Sequence, residues 1–376
     1  MDILPRLAAA VLLVVTSVVT ALAGGCAARV GSREILRPEL TWLGEFTRPA
    51  GAAFPSLGSP DRFGSISGLA HDAASNHWIA VIDDREDSRI AWLSIAFTGT
   101  GLDVSPVRMQ RLRAGAGVPD RVATQADLEG IAVLPNGTLV ISEEGHERDG
   151  EVWQPALLLV SGQGVVTRVV DFPPAYQIAS STSGLRPNQG IESVTRTPDG
   201  RLIAGLEQPL IQDGEVTFDH GAPGRLIEFV PSGATFRAGR EWTYMLSPTP
   251  RIADFEALCG DGENGLVDLV ALSNTRLVAM ERACVMDERD ARAAAPRAMN
   301  PVSLYLVDLT ANPVRKTLLL DLQTIADRLT PALSRLENFE GLAFGPTVNQ
   351  SRTLLVVSDD NFRQSQKTSF LLFGFR

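Results

Sequence analysis

Four glutamates recur in one local context along the chain. Glu129, Glu192, Glu256 and Glu340 each follow an apolar residue and precede a small one, and a short apolar run comes next. A degenerate first copy carries Ser67 where the acid would stand. From Ser67 onward the spacings are 62, 63, 64 and 84 residues. Repetition at this scale indicates a modular array, so these side chains are expected at equivalent places in successive units.

Each copy also ends on acids, after a second apolar run. These acids are Asp83, Asp84, Glu143, Glu144, Glu207, Glu281, Asp359 and Asp360. A hairpin returns its second strand to the end where its first strand began, so both sets of acids should face one rim of the array. Close carboxylates raise one another's pKa unless a cation compensates. Ca²⁺ accepts six to eight oxygen ligands from scattered loops and fits such a rim better than Mg²⁺.

We therefore predict a calcium site formed by these acids. The predicted metal ligands are Glu129, Glu143, Glu192, Glu256, Glu340 and Asp359. The predicted catalytic residues are Glu129, Glu192 and Glu207, which would position a metal-activated water or act as general base. The alternative for any single acid is a strand-end hydrogen bond or a pair with an arginine. Arginines near the acids that end each copy are expected to neutralise them, with binding of substrate phosphates as the other interpretation.

The elements that must position these acids are short antiparallel strands. Each unit offers four strand-like runs, and Asn136-Gly137 and Asp199-Gly200 between apolar runs predict hairpins with type I′ turns. Four-stranded units repeated radially describe a β-propeller. We predict an all-β fold, a single propeller of five four-stranded blades with six as the alternative. The N-terminal run 40–46 would supply the outer strand of the last blade and close the ring, and a short helix is expected around Leu322–Leu329.

Composition and charge narrow the classes of partner. The chain has 376 residues, 44% of them hydrophobic, and a formal net charge of −10. Such an acidic chain lacks the basic footprint of a nucleic-acid-binding protein. We expect a monomer whose partner is a small-molecule ester or a cell-envelope ligand, with membrane contact only through a lipid anchor.

The N-terminus has the features of a targeting segment. Arg6 precedes an apolar run, and small residues lead to Cys26. We predict a signal peptide over 1–25 of the lipoprotein type, with lipidation of Cys26, against ordinary secretion as the alternative. A linker over 26–38 and the propeller domain over 39–376 would follow, in the periplasm or outer envelope. Cys259 and Cys284 would then remain for a disulfide, which an exported compartment permits, with two buried thiols as the alternative.

The repeated sequence segments around these acids resemble those of a known family. The segments 127–131, 190–194 and 338–342, with 358–361, are similar to the phytase-like family described as "esterase-like activity of phytase". The similarity runs from Ser65 to the C-terminus. It implies an exported bacterial propeller, related to calcium-dependent phytases, that hydrolyses phosphate or carboxylic esters. Ser67 departs from the pattern, so the ring of acids would be incomplete there.

Together the residues and the resemblance predict a metal-dependent ester hydrolase, with phosphate esters as the first substrate class. One alternative is a non-catalytic binding propeller that holds a structural calcium. The other is a lactonase-like hydrolase that uses the same acids on a small organic ester or lactone.

Overall fold

A computed structural model describes residues 39–51, 63–260, 262–287, 289 and 297–375, and these form an all-β structure. The predicted signal peptide, linker and Cys26 lie outside the described residues. Within the described ranges, α1 (Asp120–Thr124) is the one α-helix. No helix in those ranges is long and apolar enough to cross a membrane.

The strands form five large sheets and two small ones. The described chain starts with β1 (Leu40–Pro49), which belongs to sheet 5. Sheet 1 contains β2 (Ile66–Asp72), β3 (His77–Ile82), β4 (Arg89–Phe97) and β5 (Leu102–Arg111). Sheet 2 contains β6 (Arg113–Ala114), β7 (Leu128–Val133), β8 (Leu139–Glu143), β11 (Ala156–Val160) and β12 (Val165–Asp171), and the hairpin β9 (His146–Arg148) and β10 (Glu151–Trp153) interrupts it.

The later sheets follow the same plan. Sheet 3 contains β13 (Ile191–Arg196), β14 (Leu202–Leu206), β15 (Pro223–Ser232) and β16 (Thr235–Met245). Sheet 4 contains β18 (Gly265–Ala271), β19 (Arg276–Arg282), β22 (Val302–Asp308) and β23 (Arg315–Asp321), beside the small sheet of β17 (Ala257–Leu258), β20 (Val285–Met286) and β21 (Ala298–Met299). Sheet 5 contains β24 (Asn338–Phe344), β25 (Thr353–Asp359), β26 (Lys367–Phe375) and β1.

The first strands of the five large sheets lie side by side in cyclic order. β2 contacts β7, β7 contacts β13, β13 contacts β18, β18 contacts β24, and β24 contacts β2. Five hydrophobic clusters fill the spaces between neighbouring sheets, one for each pair. Successive residues of a strand point to opposite faces, so Val140 and Ile141 of β8 enter different clusters. Each sheet is therefore buried on both faces, in a propeller-like arrangement.

An irregularity interrupts each of the five first strands near its beginning. The pairing register shifts around Ser67, Glu129, Glu192, Val267 and Glu340. A β-bulge re-aims the side chain that it carries, and bulges are common beside functional sites. This shared irregularity explains why the repeated sequence segment has one distinctive residue at the same position in each copy.

The small residue after the bulge lets neighbouring first strands approach. A Cβ on Gly68 would lie 2.2 Å from the carbonyl oxygen of Glu129, and one on Gly130 would lie 2.4 Å from the backbone nitrogen of Val194. The small residue of the phrase is therefore required by the packing of one sheet on the next.

The predicted hairpins are present, but their turns differ from type I′. Gly137 and Gly200 have positive φ values of 79° and 92°, whereas Asn136 and Asp199 are absent from the residues with positive φ. In the first hairpin the Leu134 amide donates to the Thr138 carbonyl at 2.8 Å, so the loop is longer than two residues.

The N-terminal strand occupies the position that the sequence predicted. β1 pairs antiparallel with β26, from Leu40 opposite Phe375 to Pro49 opposite Lys367. The predicted helix is present as a 3₁₀ helix over Leu322–Arg328, and shorter 3₁₀ turns are also found at Pro174–Tyr176, Ile211–Asp213 and Pro331–Leu333.

Candidate metal centre

Acidic side chains from four of the five large sheets line one cavity of about 190 Å³ at the beginning of the first strands. The lining residues are Asp83, Arg85, Glu129, Glu144, Asn188, Gln189, Glu192, Glu207, Arg282, Glu340, Asp359 and Asn361. Seven of the twelve carry carboxyl groups and two carry guanidinium groups. This concentration of like charge is the main electrostatic feature of the site.

Two positions in each hairpin supply these acids. The bulge of the first strand provides Glu129, Glu192 and Glu340, all less than one-tenth exposed. The residue at the end of the second strand, or just after it, provides the others. These are Asp83, Glu144, Glu207 and Asp359. Since a hairpin returns to its starting end, both positions face the same cavity.

Two triplets of carboxylates are compact enough to share a cation. Oxygens of Glu129, Glu144 and Glu192 lie within 4.8 Å of one another, and so do oxygens of Asp83, Asp127 and Glu129. Oxygens bound to one Ca²⁺ at about 2.4 Å lie no more than about 4.8 Å apart. Both triplets therefore fit calcium, and Glu129 belongs to both.

The two arginines of the cavity are held by its acids. Arg282 Nη2 donates to Glu340 Oε1 at 2.7 Å and lies 3.6 Å from Glu207 Oε1. Arg85 Nη2 lies 2.5 Å from Asp127 Oδ2, and the Arg85 side chain is 35% exposed. Arg282 is thus a buried counter-charge, whereas Arg85 reaches the surface.

Burial and mutual repulsion raise the pKa of six of the seven carboxyl groups. Burial, and then the neighbouring carboxylates, raise the pKa of Glu129 and Glu192 well above the ordinary value. The same causes raise the pKa of Asp83, Glu144 and Asp359. Burial raises the pKa of Glu340 to about 7 although Arg282 opposes the shift. A divalent cation would reverse this, because it stabilises the ionised form.

A family model matches most of the chain. The model described as "Phytase-like: Esterase-like activity of phytase" matches residues 61–362. This chain belongs to the phytase-like family. The resemblance drawn from the repeated phrases is confirmed. No curated protein matches the chain.

Several solved structures are weakly similar to this phytase-like chain. The allergen Mala s 1 of Malassezia sympodialis has a TM-score of 0.39 and 15% identity over 86% of this chain and 82% of its own. An α-L-arabinanase of Penicillium chrysogenum has a TM-score of 0.40 and 13% identity over 84% of this chain and 80% of its own. A duf4221 family member from Bacteroides vulgatus has a TM-score of 0.41 and 9% identity over 90% of this chain and 98% of its own. None reaches 0.5, so these structures indicate neither the blade number nor the activity.

Five of the predicted site residues lie together in the cavity. These are Glu129, Glu192, Glu207, Glu340 and Asp359. All three predicted catalytic residues are among them. Cys259 and Cys284, which were predicted to pair, form a disulfide with a Cα–Cα distance of 5.4 Å.

The prediction of Glu256 as a ligand is wrong. Glu256 is exposed and immediately precedes β17, outside the cavity. The first strand of sheet 4 is β18, where Val267 occupies the bulge and Arg282 ends the second strand. Sheet 4 therefore supplies an apolar residue and a cation at the two positions where sheets 2, 3 and 5 place acids.

The prediction of Glu143 as a ligand is wrong by one residue. Glu143 accepts the Asp127 amide at 2.8 Å and lies 3.2 Å from His146 Nδ1, so it faces away from the cavity. Glu144 lines the cavity instead. Neighbouring residues of a strand point to opposite faces, which explains the exchange. His146 itself is buried and stacked on Trp153 at a centroid distance of 4.8 Å.

Other acids at the strand ends stabilise the fold. Asp360 accepts the Ser65 amide at 3.0 Å, and Asp84 accepts from Arg89 at 2.8 Å. Glu281 accepts the Tyr244 hydroxyl at 2.8 Å. The sequence reasoning missed Asp127 as a member of the site. Its signal was its place two residues before Glu129, which allows it to reach the same cation position.

Proposed function

We propose that this chain is a calcium-dependent ester hydrolase, with phosphate esters as its first substrate class. The observation that carries the proposal is the cavity in which seven carboxyl groups, six of them on buried residues, face two arginines. Like charges at this density are costly unless a cation or protons compensate. The family description supports ester chemistry.

The residues present fit calcium better than a smaller cation. The Glu129–Glu144–Glu192 triplet offers only oxygen donors, within the span of a calcium coordination shell. Magnesium prefers shorter bonds at about 2.0–2.1 Å and keeps several waters, which this carboxylate-rich cavity would replace. Glu129, Glu144 and Glu192 would hold the cation, and Asp83 and Asp127 would hold a second one beside it.

Bound calcium would lower the pKa of a water and shield the charge of an anionic substrate. Arg85 is partly exposed at the cavity and would orient the substrate through its guanidinium group. Glu207 lines the cavity outside both triplets and would act as general base toward the water. Arg282 would hold Glu207 and Glu340 in place as a positioning residue.

We also propose that the five large sheets are the blades of one closed propeller. The cyclic contacts of the first strands and the five inter-sheet clusters support this. We further propose export to the periplasm or outer envelope, with Cys26 lipidated. The disulfide between Cys259 and Cys284 is compatible with an oxidising compartment.

One observation favours a second candidate, a binding propeller with a structural calcium. Glu129, Glu192 and Glu340 are almost fully buried, and the cavity of about 190 Å³ is small for a large substrate. A cation there would tie the sheets together without turnover.

Assays with matched chromogenic esters test these functions. Purified mature protein would be given p-nitrophenyl phosphate, p-nitrophenyl acetate and a lactone, with calcium and then with a chelator. We expect phosphate-ester hydrolysis that is lost on chelation. Glu192→Gln should reduce it at least tenfold, while Glu256→Gln, outside the cavity, should leave it unchanged.

The outcomes separate the functions. Calcium binding in calorimetry without turnover of any ester would favour the binding propeller. Lactone turnover without phosphatase activity would favour the lactonase-like alternative. Equal activity in calcium and chelator would contradict the proposed chemistry.

A further inference from the structure

A second pocket lies at the other end of the first strands, away from the acids. Two adjoining cavities of about 730 and 280 Å³ share His71, Arg196, Ala271 and Phe344 in their lining. The smaller one is lined by residues from all five first strands. Arg196 stands four residues after Glu192 on β13, roughly 13 Å along the strand. The two sites are therefore separate.

The charge of this pocket is opposite to that of the acidic cavity. Its lining includes Arg196 and Arg352 and contains no aspartate or glutamate among the described residues. The Arg196 guanidinium makes no ion pair or hydrogen bond with any described residue, and that of Arg352 only approaches the Phe344 ring at 5.3 Å. Two guanidinium groups without an acidic partner therefore line one pocket of a chain whose net charge is −10.

The wall beside these arginines is aromatic and fixed. Trp78 Nε1 donates to the Phe344 carbonyl at 2.7 Å and so connects sheet 1 to sheet 5. The ring centroids of His71 and Trp78 lie 4.5 Å apart with the ring planes inclined at 33°, and His71 Nε2 lies 3.2 Å from Asn76 Oδ1. Leu272 adds apolar surface. A rigid apolar wall with a few polar groups is typical of small-molecule sites, and the larger cavity lies within their usual size range of about 300–1,000 Å³.

We infer that this pocket binds a small organic anion with an apolar or aromatic body. The body would lie against Phe344 and Leu272, and the anionic group would face Arg196 and Arg352. A planar guanidinium pairs bidentately with carboxylate, phosphate or sulfonate oxygens. The inference does not depend on the metal centre, because it shares no residue with that cavity.

Two fluorescent probes with nearly the same body test the inference. 8-Anilinonaphthalene-1-sulfonate carries the anionic group, and N-phenyl-1-naphthylamine lacks it. We expect saturable one-site binding of the sulfonate by the mature protein and much weaker binding of the neutral probe. Arg196→Gln and Arg352→Gln should each weaken sulfonate binding about tenfold or more, the loss expected for a hydrogen bond to a charged group.

Three controls keep the result interpretable. Arg315→Gln removes an exposed arginine of β23 and should leave binding unchanged, as should Glu192→Gln at the metal centre. Arg352 is exposed, so its replacement should not disturb folding even if Arg196→Gln does. Native near-ultraviolet circular dichroism must accompany the binding.

The inference is overturned by any of three results. These are the absence of saturable sulfonate binding, equal affinity for the neutral probe, and unchanged affinity in Arg352→Gln.

Discussion

Gly68 packs so closely on Glu129 that a Cβ at position 68 would lie 2.2 Å from the Glu129 carbonyl oxygen. Glu129 thus has two roles, since its carboxyl group belongs to the metal centre and its backbone carbonyl packs against Gly68 of β2. Stability and site geometry are coupled at this contact, because a shift of β2 against β7 would move Glu129.

Enlarging this glycine should therefore destabilise the protein. We expect Gly68→Ala to lower the free energy of unfolding by about 2 kcal/mol or more, because the backbone of β7 must move to make room. Thermal unfolding followed by circular dichroism measures this. The matched control is Gly162→Ala, where a Cβ meets nothing within 4 Å and the change should stay within about 0.5 kcal/mol. Equal melting temperatures for the two variants would contradict the packing argument.

The stability of the calcium-free protein should fall as the pH rises. The pKa of Glu340 is raised from 4.5 to about 7 in the folded protein, and other carboxyl groups of the cavity shift in the same direction. The folded state therefore binds more protons than the unfolded chain between these values. The contribution of Glu340 to the free energy of unfolding is complete below about pH 4.5, its ordinary pKa, and is lost as the pH rises through about 7.

Melting temperatures at pH 5 and pH 8, after removal of metal on a chelating resin, measure this effect. With saturating calcium the trend should reverse, because calcium binds the ionised carboxylates. A metal-free melting temperature that rises from pH 5 to pH 8 would refute the charge repulsion inferred for the cavity.

Removing Arg282 should make the protein more dependent on calcium. Its guanidinium is the buried partner of Glu340 and Glu207. Loss of one partner from a buried pair costs about 3–5 kcal/mol. We expect Arg282→Gln to lower the melting temperature strongly in chelator and less in calcium. Arg315→Gln, at an exposed pair with Asp308, should change neither value by more than about 0.5 kcal/mol in stability.

The disulfide should contribute measurably to stability. Cys259 and Cys284 enclose a loop with a sequence separation of 25. The chain-entropy model gives about 3.5 kcal/mol for a loop of this length. Replacing both cysteines with serine, in a chain that starts after Cys26, should lower the free energy of unfolding by about this amount, which is measured as a lower melting temperature. Titration of thiols in the native protein should find none, and two reactive thiols would contradict the bridge.

The positions of Glu129, Glu192 and Glu340 could be predicted because an apolar residue, an acid and a small residue recur together in the sequence. The family and the strand pairs followed from the same repetition. Glu256 could not be excluded in this way, because it also lies between an apolar and a small residue. The first strand of sheet 4 begins only at Gly265. Only the register of β18 against β19 shows that Val267 and Arg282 fill the equivalent places.

The choice between Glu143 and Glu144 depended on a single residue of register. Both acids end the same apolar run, and alternation along the strand gives them opposite faces. The spacing of the repeats is not accurate to one residue, so it could not decide which acid faces the cavity. Asp127 was missed for a related reason, since it lies before β7 and outside the hairpin pattern.

The pairing of β1 with β26 sets the order in which the molecule can be completed. During synthesis β1 emerges before the other described strands, and its partner β26 emerges after all of them. Until then β1 exposes unsatisfied amides and carbonyls along an edge that other strands can join. Folding that depends on such distant partners is slow, because the loop-closure entropy is lost before the contact forms. A nascent chain of this protein should therefore need protection from aggregation until β26 has been synthesised.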